Sequence, residues 1–139
     1  METSAAKAFL GSVLASSSTL ITALGGTAIY ADVIPQGSAL PAIVYSVQSG
    51  TLEGNGRGDA IAGVPLMTVK VVTQGYGVAT ADAIMEIVKP LLEGVRGTVT
   101  GYYILGCSRV GAVDYPEIEQ GVLYRHLGSI YRMAVVGTA

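Results

Sequence analysis

The spacing of apolar residues changes at Gly25-Gly26, and that change decides which class of fold is open to this chain. Before it, Phe9, Leu10, Val13 and Leu14, then Leu20, Ile21 and Leu24, recur at the intervals that place side chains on one face of a helix. Ser4 is placed to cap a first helix, the Ser16-Ser17-Ser18 run supplies a cap for a second, and the glycine pair stops it. After Gly26 the pattern is that of strands. Residues 27–33 form a short β-rich run, and Pro41 opens a strand in which Ile43, Tyr45 and Val47 alternate with Ala42, Val44, Ser46 and Gln48. Residues 64–74 read as the next strand. Helical spacing returns over residues 79–93, with Thr80 as the cap, Asp82 in the first turn, Pro90 kinking the last turn and Gly94 as the stop. Two long strands follow, at 98–113 and 121–136, separated by a corner at Asp114-Tyr115-Pro116-Glu117. This order predicts an α+β fold: a mainly antiparallel sheet with a helix packed on it and a short N-terminal helical pair.

The 139 residues suit one domain, with residues 1–26 as its helical pair. Residues 50–63 hold five glycines and little that can pack, so they read as a mobile hairpin loop. Half of the chain is apolar and only 13% is charged, against about 25% in an ordinary soluble domain. That composition is the opposite of a disordered segment. No uninterrupted apolar run reaches the ~18 residues of a membrane span. A secretory signal shares the outline of residues 1–26, but Glu2 offsets Lys7, serines break the apolar stretch and no convincing cleavage site follows. The helical pair is the preferred reading, and a secreted or periplasmic binding module with a cleaved signal is the alternative. A net charge of −2, with eight Lys and Arg spread along the chain, lacks the basic stripe that phosphate-backbone binding needs.

Candidate chemistry is sparse. His126 is the single histidine, and Ser129, three residues along the same strand, points to the opposite face. No G-x-S-x-G elbow is present, so His126 reads as a strand histidine near a sheet edge or subunit contact. One Cys, one His and scattered acids give no metal-ligand spacing, and no cofactor is implied. Cys107, between Gly106 and Ser108, reads as a small buried core residue. Gly54-Asn55-Gly56-Arg57-Gly58-Asp59 lacks the strand-then-helix frame of a phosphate cradle, and Asn-Gly favours a tight reversal. Such a turn can order against a neighbour, which makes Asn55, Arg57 and Asp59 candidate contacts. Tyr102 and Tyr103 on one late strand, and Tyr124, Arg125, His126, Tyr131 and Arg132 on the other, gather Tyr and Arg side chains of the kind enriched at protein interfaces. The expected site is therefore a protein–protein interface, without catalytic residues.

The phrase Ile34-Pro35-Gln36-Gly37-Ser38-Ala39-Leu40-Pro41 leads into a strand, and Ala81-Asp82-Ala83-Ile84 opens the later helix. Final strands carry Tyr124-Arg125-His126. With the helical pair ending in Leu24-Gly25-Gly26, this arrangement resembles the tail completion, or tail terminator (head–tail joining), proteins of long-tailed bacteriophages. The resemblance covers nearly the whole chain, and the P-Q-G-x-x-L-P phrase is its most specific part. It implies a non-enzymatic virion subunit that forms a ring, commonly a hexamer, at the head-proximal end of the tail. The implied partners are further copies of the chain, the tail tube protein and the head completion or neck protein. The resemblance also implies that DNA only passes through the lumen and that no membrane is involved. The implied location is the virion tail, with assembly in the host cytoplasm.

Overall fold

The computed structural model describes residues 1–54, 60–75 and 77–137. Helix α1 (Glu2–Ala15) and helix α2 (Ser18–Leu24) meet at 79° across the serine run. Ser17 is the cap of α2: its side chain accepts from the Leu20 backbone N–H, and Gly25 closes the helix in the left-handed conformation. The expected Ser4 cap is corrected, because α1 already starts at Glu2, whose carboxylate suits the positive end of the helix dipole. Helix α3 (Ala79–Leu92) is capped at Val78 without a side-chain bond, so Thr80 lies inside the helix. Among the described residues no single helix is long and apolar enough to cross a membrane.

Six strands form one mixed sheet: β1 (Ile29–Ala31), β2 (Ala42–Gly54), β3 (Ala60–Gln74), β4 (Gly97–Val99), β5 (Tyr102–Glu119) and β6 (Val122–Gly137). Their spatial order is β1-β2-β3-β6-β5-β4. Only β1 against β2 is parallel, and every other neighbouring pair is antiparallel. The α+β fold with a mainly antiparallel sheet is as the sequence predicts.

Two expectations are corrected by the sheet. Residues 50–54 and 60–63 continue β2 and β3 rather than forming a loop, because Gly50, Thr51 and Leu52 keep register with Pro65, Val64 and Gly63. Of the expected loop, residues 55–59 lie outside the described residues. The corner expected at Asp114–Glu117 is strand: these residues pair with Leu127, His126, Arg125 and Tyr124. Pro116 is tolerated because β4 pairs only with residues 102–104, leaving this stretch of β5 as an edge where a missing N–H costs little. The reversal falls at Gln120-Gly121, both at positive φ (51° and 78°), the geometry of a two-residue primed hairpin turn.

All three helices pack on one face of the sheet. Phe9, Leu10 and Leu14 of α1, Leu20 and Leu24 of α2, and Ile84, Val88 and Leu92 of α3 cluster with Ile43, Met67, Val69, Val71, Ile104, Tyr131, Met133 and Val135. Burying each large apolar side chain contributes about 1.5–3 kcal/mol. The N-terminal pair is therefore part of the core. Cys107 lies in the same cluster, and burial, reinforced by the Glu93 charge, pushes its thiol up to about 11, which leaves it unreactive at neutral pH.

Candidate interface site

Strand alternation sends every second side chain to the face that the helices leave bare. There, register places Val72 of β3, His126 of β6 and Tyr115 of β5 in one row, with Gln74, Tyr124 and Glu117 in the next. A concavity of about 1290 Å³ opens over these rows. Residues 32–38 and 40–41, which carry most of the P-Q-G-x-x-L-P phrase, wall one side, and the β5–β6 turn with Glu117, Glu119 and Val122 walls the other.

His126 is the buried centre of this face at 8% exposure. Tyr115 stacks on it, with ring centroids 4.5 Å apart and planes 8° from parallel, as facing cross-strand residues allow. Lys70 Nζ donates to the Tyr115 hydroxyl at 2.6 Å. Glu117 Oε1 comes within 3.4 Å of His126 Nε2, near enough to act by charge, but among the described residues neither ring nitrogen has a well-aligned hydrogen-bond partner. Burial pushes the imidazole below its ordinary range and the Lys70 charge adds to this, while Glu117 opposes both.

A pH dependence follows. The unfolded chain takes up a proton at His126 below pH ~6.5, whereas the folded chain resists until lower pH. Between those two values the unfolded state binds more protons, so stability is present above pH ~6.5 and falls as pH drops toward the folded value. His126→Phe keeps the stacking and removes two unpartnered buried nitrogens. It should hold or raise stability at pH 7, by up to about 1 kcal/mol, and remove this slope. Urea unfolding at stepped pH between 5 and 7 measures both, and an unchanged slope would mean that His126 is not its source.

The remaining predicted residues divide between surfaces. Tyr124 lines the concavity with His126. Arg132 is exposed on the same face, level with Leu66 and Ser108. Arg125 lies on the other face of the β5–β6 hairpin, where its Nη1 pairs with Asp114 Oδ1 at 3.2 Å. Tyr131 is corrected as a contact residue: it is fully buried in the helix-covered core, level with Met67. Among the described residues its hydroxyl has no hydrogen-bond partner, the neighbouring Ser129 Oγ accepts from Arg109 Nε at 2.7 Å, and burial raises the Tyr131 ionisation above the ordinary tyrosine range. Asn55, Arg57 and Asp59 lie outside the described residues. His126 is not near a sheet edge, since β6 runs between β3 and β5. Ser129 does sit on the opposite face from His126, and among the described residues no three His, Cys, Asp or Glu side chains gather.

Beyond Tyr102 and Tyr103, sequence reasoning missed the exposed apolar residues of β5. Among the described residues eight large apolar side chains are exposed, and five of them belong to this strand: Tyr103 (47%), Leu105 (55%), Val110 (52%), Tyr115 (38%) and Ile118 (72%). Concentration on one strand separates this from scattered surface apolars, which are normal. Register slips between Ile104 and Gly106 and between Arg109 and Gly111, so Leu105 and Val110 have no residue opposite on β6. The two apolar–glycine steps, Leu105-Gly106 and Val110-Gly111, are the signal in the sequence, since glycine in a strand often marks a bulge.

Comparison with known proteins bears on the chain as a whole. The family described as Tail completion protein gp17 matches residues 10–130. A chain from the virion of a native gene transfer agent particle shares the fold, with a TM-score of 0.75, 23% identity and 98% of each chain covered. No curated protein sequence matches.

Proposed function

This chain belongs to the family described as Tail completion protein gp17, a structural component of the virion tail, and we propose that its copies close a ring at the head-proximal end of a phage tail. The ring, of six copies on our reading, ends growth of the tail tube and joins the tail to the head or neck. The observation that supports assembly is the free edge of β5, along which Leu105, Val110, Tyr115 and Ile118 are exposed. Large apolar side chains exposed along one edge strand are costly on a monomer and mark a place where another chain sits. Low charge agrees with a subunit covered on several sides, because interface centres are depleted of charged residues. The secreted alternative loses support from the core, since cleavage near residue 26 would remove Leu10, Leu14 and Leu20, all fully buried.

The test is to add the purified protein to tail tubes that are still elongating. Tubes should stop growing and carry a ring at one end, seen by electron microscopy, even if the free protein is monomeric in sizing experiments. A protein that forms no ring and leaves tube length unchanged would overturn the proposal.

A further inference from the structure

The two edges of the sheet differ, and a closed ring requires a difference of this kind. A head-to-tail ring joins one patch on each copy to a different patch on the next. One edge of the sheet is β1, three residues long and followed by Asp32 and Val33, with Val33 71% exposed. The opposite side carries β4 over residues 102–104 and then the bare length of β5.

Edge strands recruit other strands unless bulges, proline or short length prevent it. Both edges here are blunted in that way: β1 by its length, and β5 by two bulges and Pro116. Bulges also re-aim side chains. On β5 the unpaired residues at the bulges are Leu105 and Val110, both about half exposed. The edge is thus unsuited to continuous strand pairing and suited to side-chain packing.

Charge distinguishes the two edges further. Val110 follows an exposed cation, giving Arg109-Val110, and Val33 follows an exposed anion, giving Asp32-Val33. Asp32 carries an ion pair with Lys7 at 2.7 Å, yet its side chain remains 52% exposed. Val33 also lines the large concavity, whereas Leu105, Arg109 and Val110 do not. One edge offers an apolar group beside a cation, and the other an apolar group beside an anion next to a hollow.

We propose that, within the ring, the β5 edge of one copy, led by Leu105, Arg109 and Val110, seats on the β1 edge of the next copy at Asp32-Val33, through side-chain packing rather than strand addition. The proposal rests on the ring reading above and names the two patches that reading leaves open.

Cysteine cross-linking on tube ends tests it. A Val33→Cys preparation and a Val110→Cys preparation are mixed in equal amounts and oxidised; native Cys107 is buried and stays out of the reaction. Cross-linked dimers should form in the mixture and in neither preparation alone, and the double variant should give a ladder ending at the ring number. Separately, Leu105→Ala and Val110→Ala should each raise the concentration for half-maximal assembly roughly tenfold, the size of a moderate hot spot, with unchanged circular dichroism. A Val110→Cys preparation that cross-links with itself would mean a two-fold contact and overturn the proposal. Rings that form without any cross-link, or that ignore both alanine variants, would also overturn it while leaving the ring reading intact. Absence of rings and of tube-end binding in the unaltered protein would instead remove the ring reading itself.

Discussion

Gly128→Ala should leave little folded protein. Gly128 lies in the middle of β6, level with Lys70 of β3. A Cβ there would come within 2.5 Å of the Lys70 Cα and closer still to the Val69 carbonyl oxygen. Both obstacles are backbone, held by the central pairing of the sheet, so no rotamer change can make room. Overpacked cores typically lose about 1–3 kcal/mol when side chains can shift, and a backbone clash should exceed that. Against a total stability of about 5–15 kcal/mol, the variant should be insoluble or should unfold at a markedly lower urea concentration. Gly106→Ala is the control, since a Cβ at Gly106 meets nothing within 4 Å. It should change stability by less than ~1 kcal/mol. Equal behaviour of the two variants would show that β3 and β6 are not so closely apposed at Gly128.

Removal of residues 1–26 should abolish folding. That segment supplies Phe9, Leu10, Leu14, Leu20 and Leu24 to the core, and α1 lies across β3, β2, β1 and β6. Without it Met67, Val69 and Val71, now fully buried, would lose the cover of α1 and keep only that of α3. A single truncation within the segment, Leu10→Ala, should cost about 2–5 kcal/mol, so loss of the whole pair exceeds any ordinary margin of stability. Soluble yield and circular dichroism of the shortened chain give the answer. A shortened chain that folds and melts cooperatively would restore the cleaved-signal alternative and contradict the core described here.

Most of the element order was legible because periodicity reports which face is buried, and burial is the largest stabilising force acting on each element. Ser17 and Gly25 act as the caps their types suggest. Pro116 misled for a definable reason. Proline disrupts a strand only where its N–H would be used, and no local pattern reveals that β4 stops at the stretch paired with residues 102–104. Glycine misled in the same way over residues 50–63. Composition there suggests a loop, yet pairing across the hairpin satisfies the backbone as far as Gly54 and from Ala60.

The candidate site was legible in part. Tyr124 and His126 were identified from composition and do line one concavity. Tyr131 was identified by the same reasoning and is buried, because a tyrosine on a strand reads alike whichever face it takes, and only the helices decide which face is covered. Lys70 and Tyr115 were missed, since they lie 45 residues apart and meet only through the pairing of β3 and β5 with β6.

The sequence by itself determined the class of fold, the two N-terminal helices, the long α3 and the P-Q-G-x-x-L-P connection, because each depends on spacing and turn chemistry within a few residues. Only the tertiary structure decided that the β5 edge is bare, that its bulges expose Leu105 and Val110, and that the connection walls a concavity opposite the β5–β6 turn. Which strand lies at an edge depends on the order in which distant segments pair. That order is set by burial of the whole apolar face at once, which no local window of sequence contains.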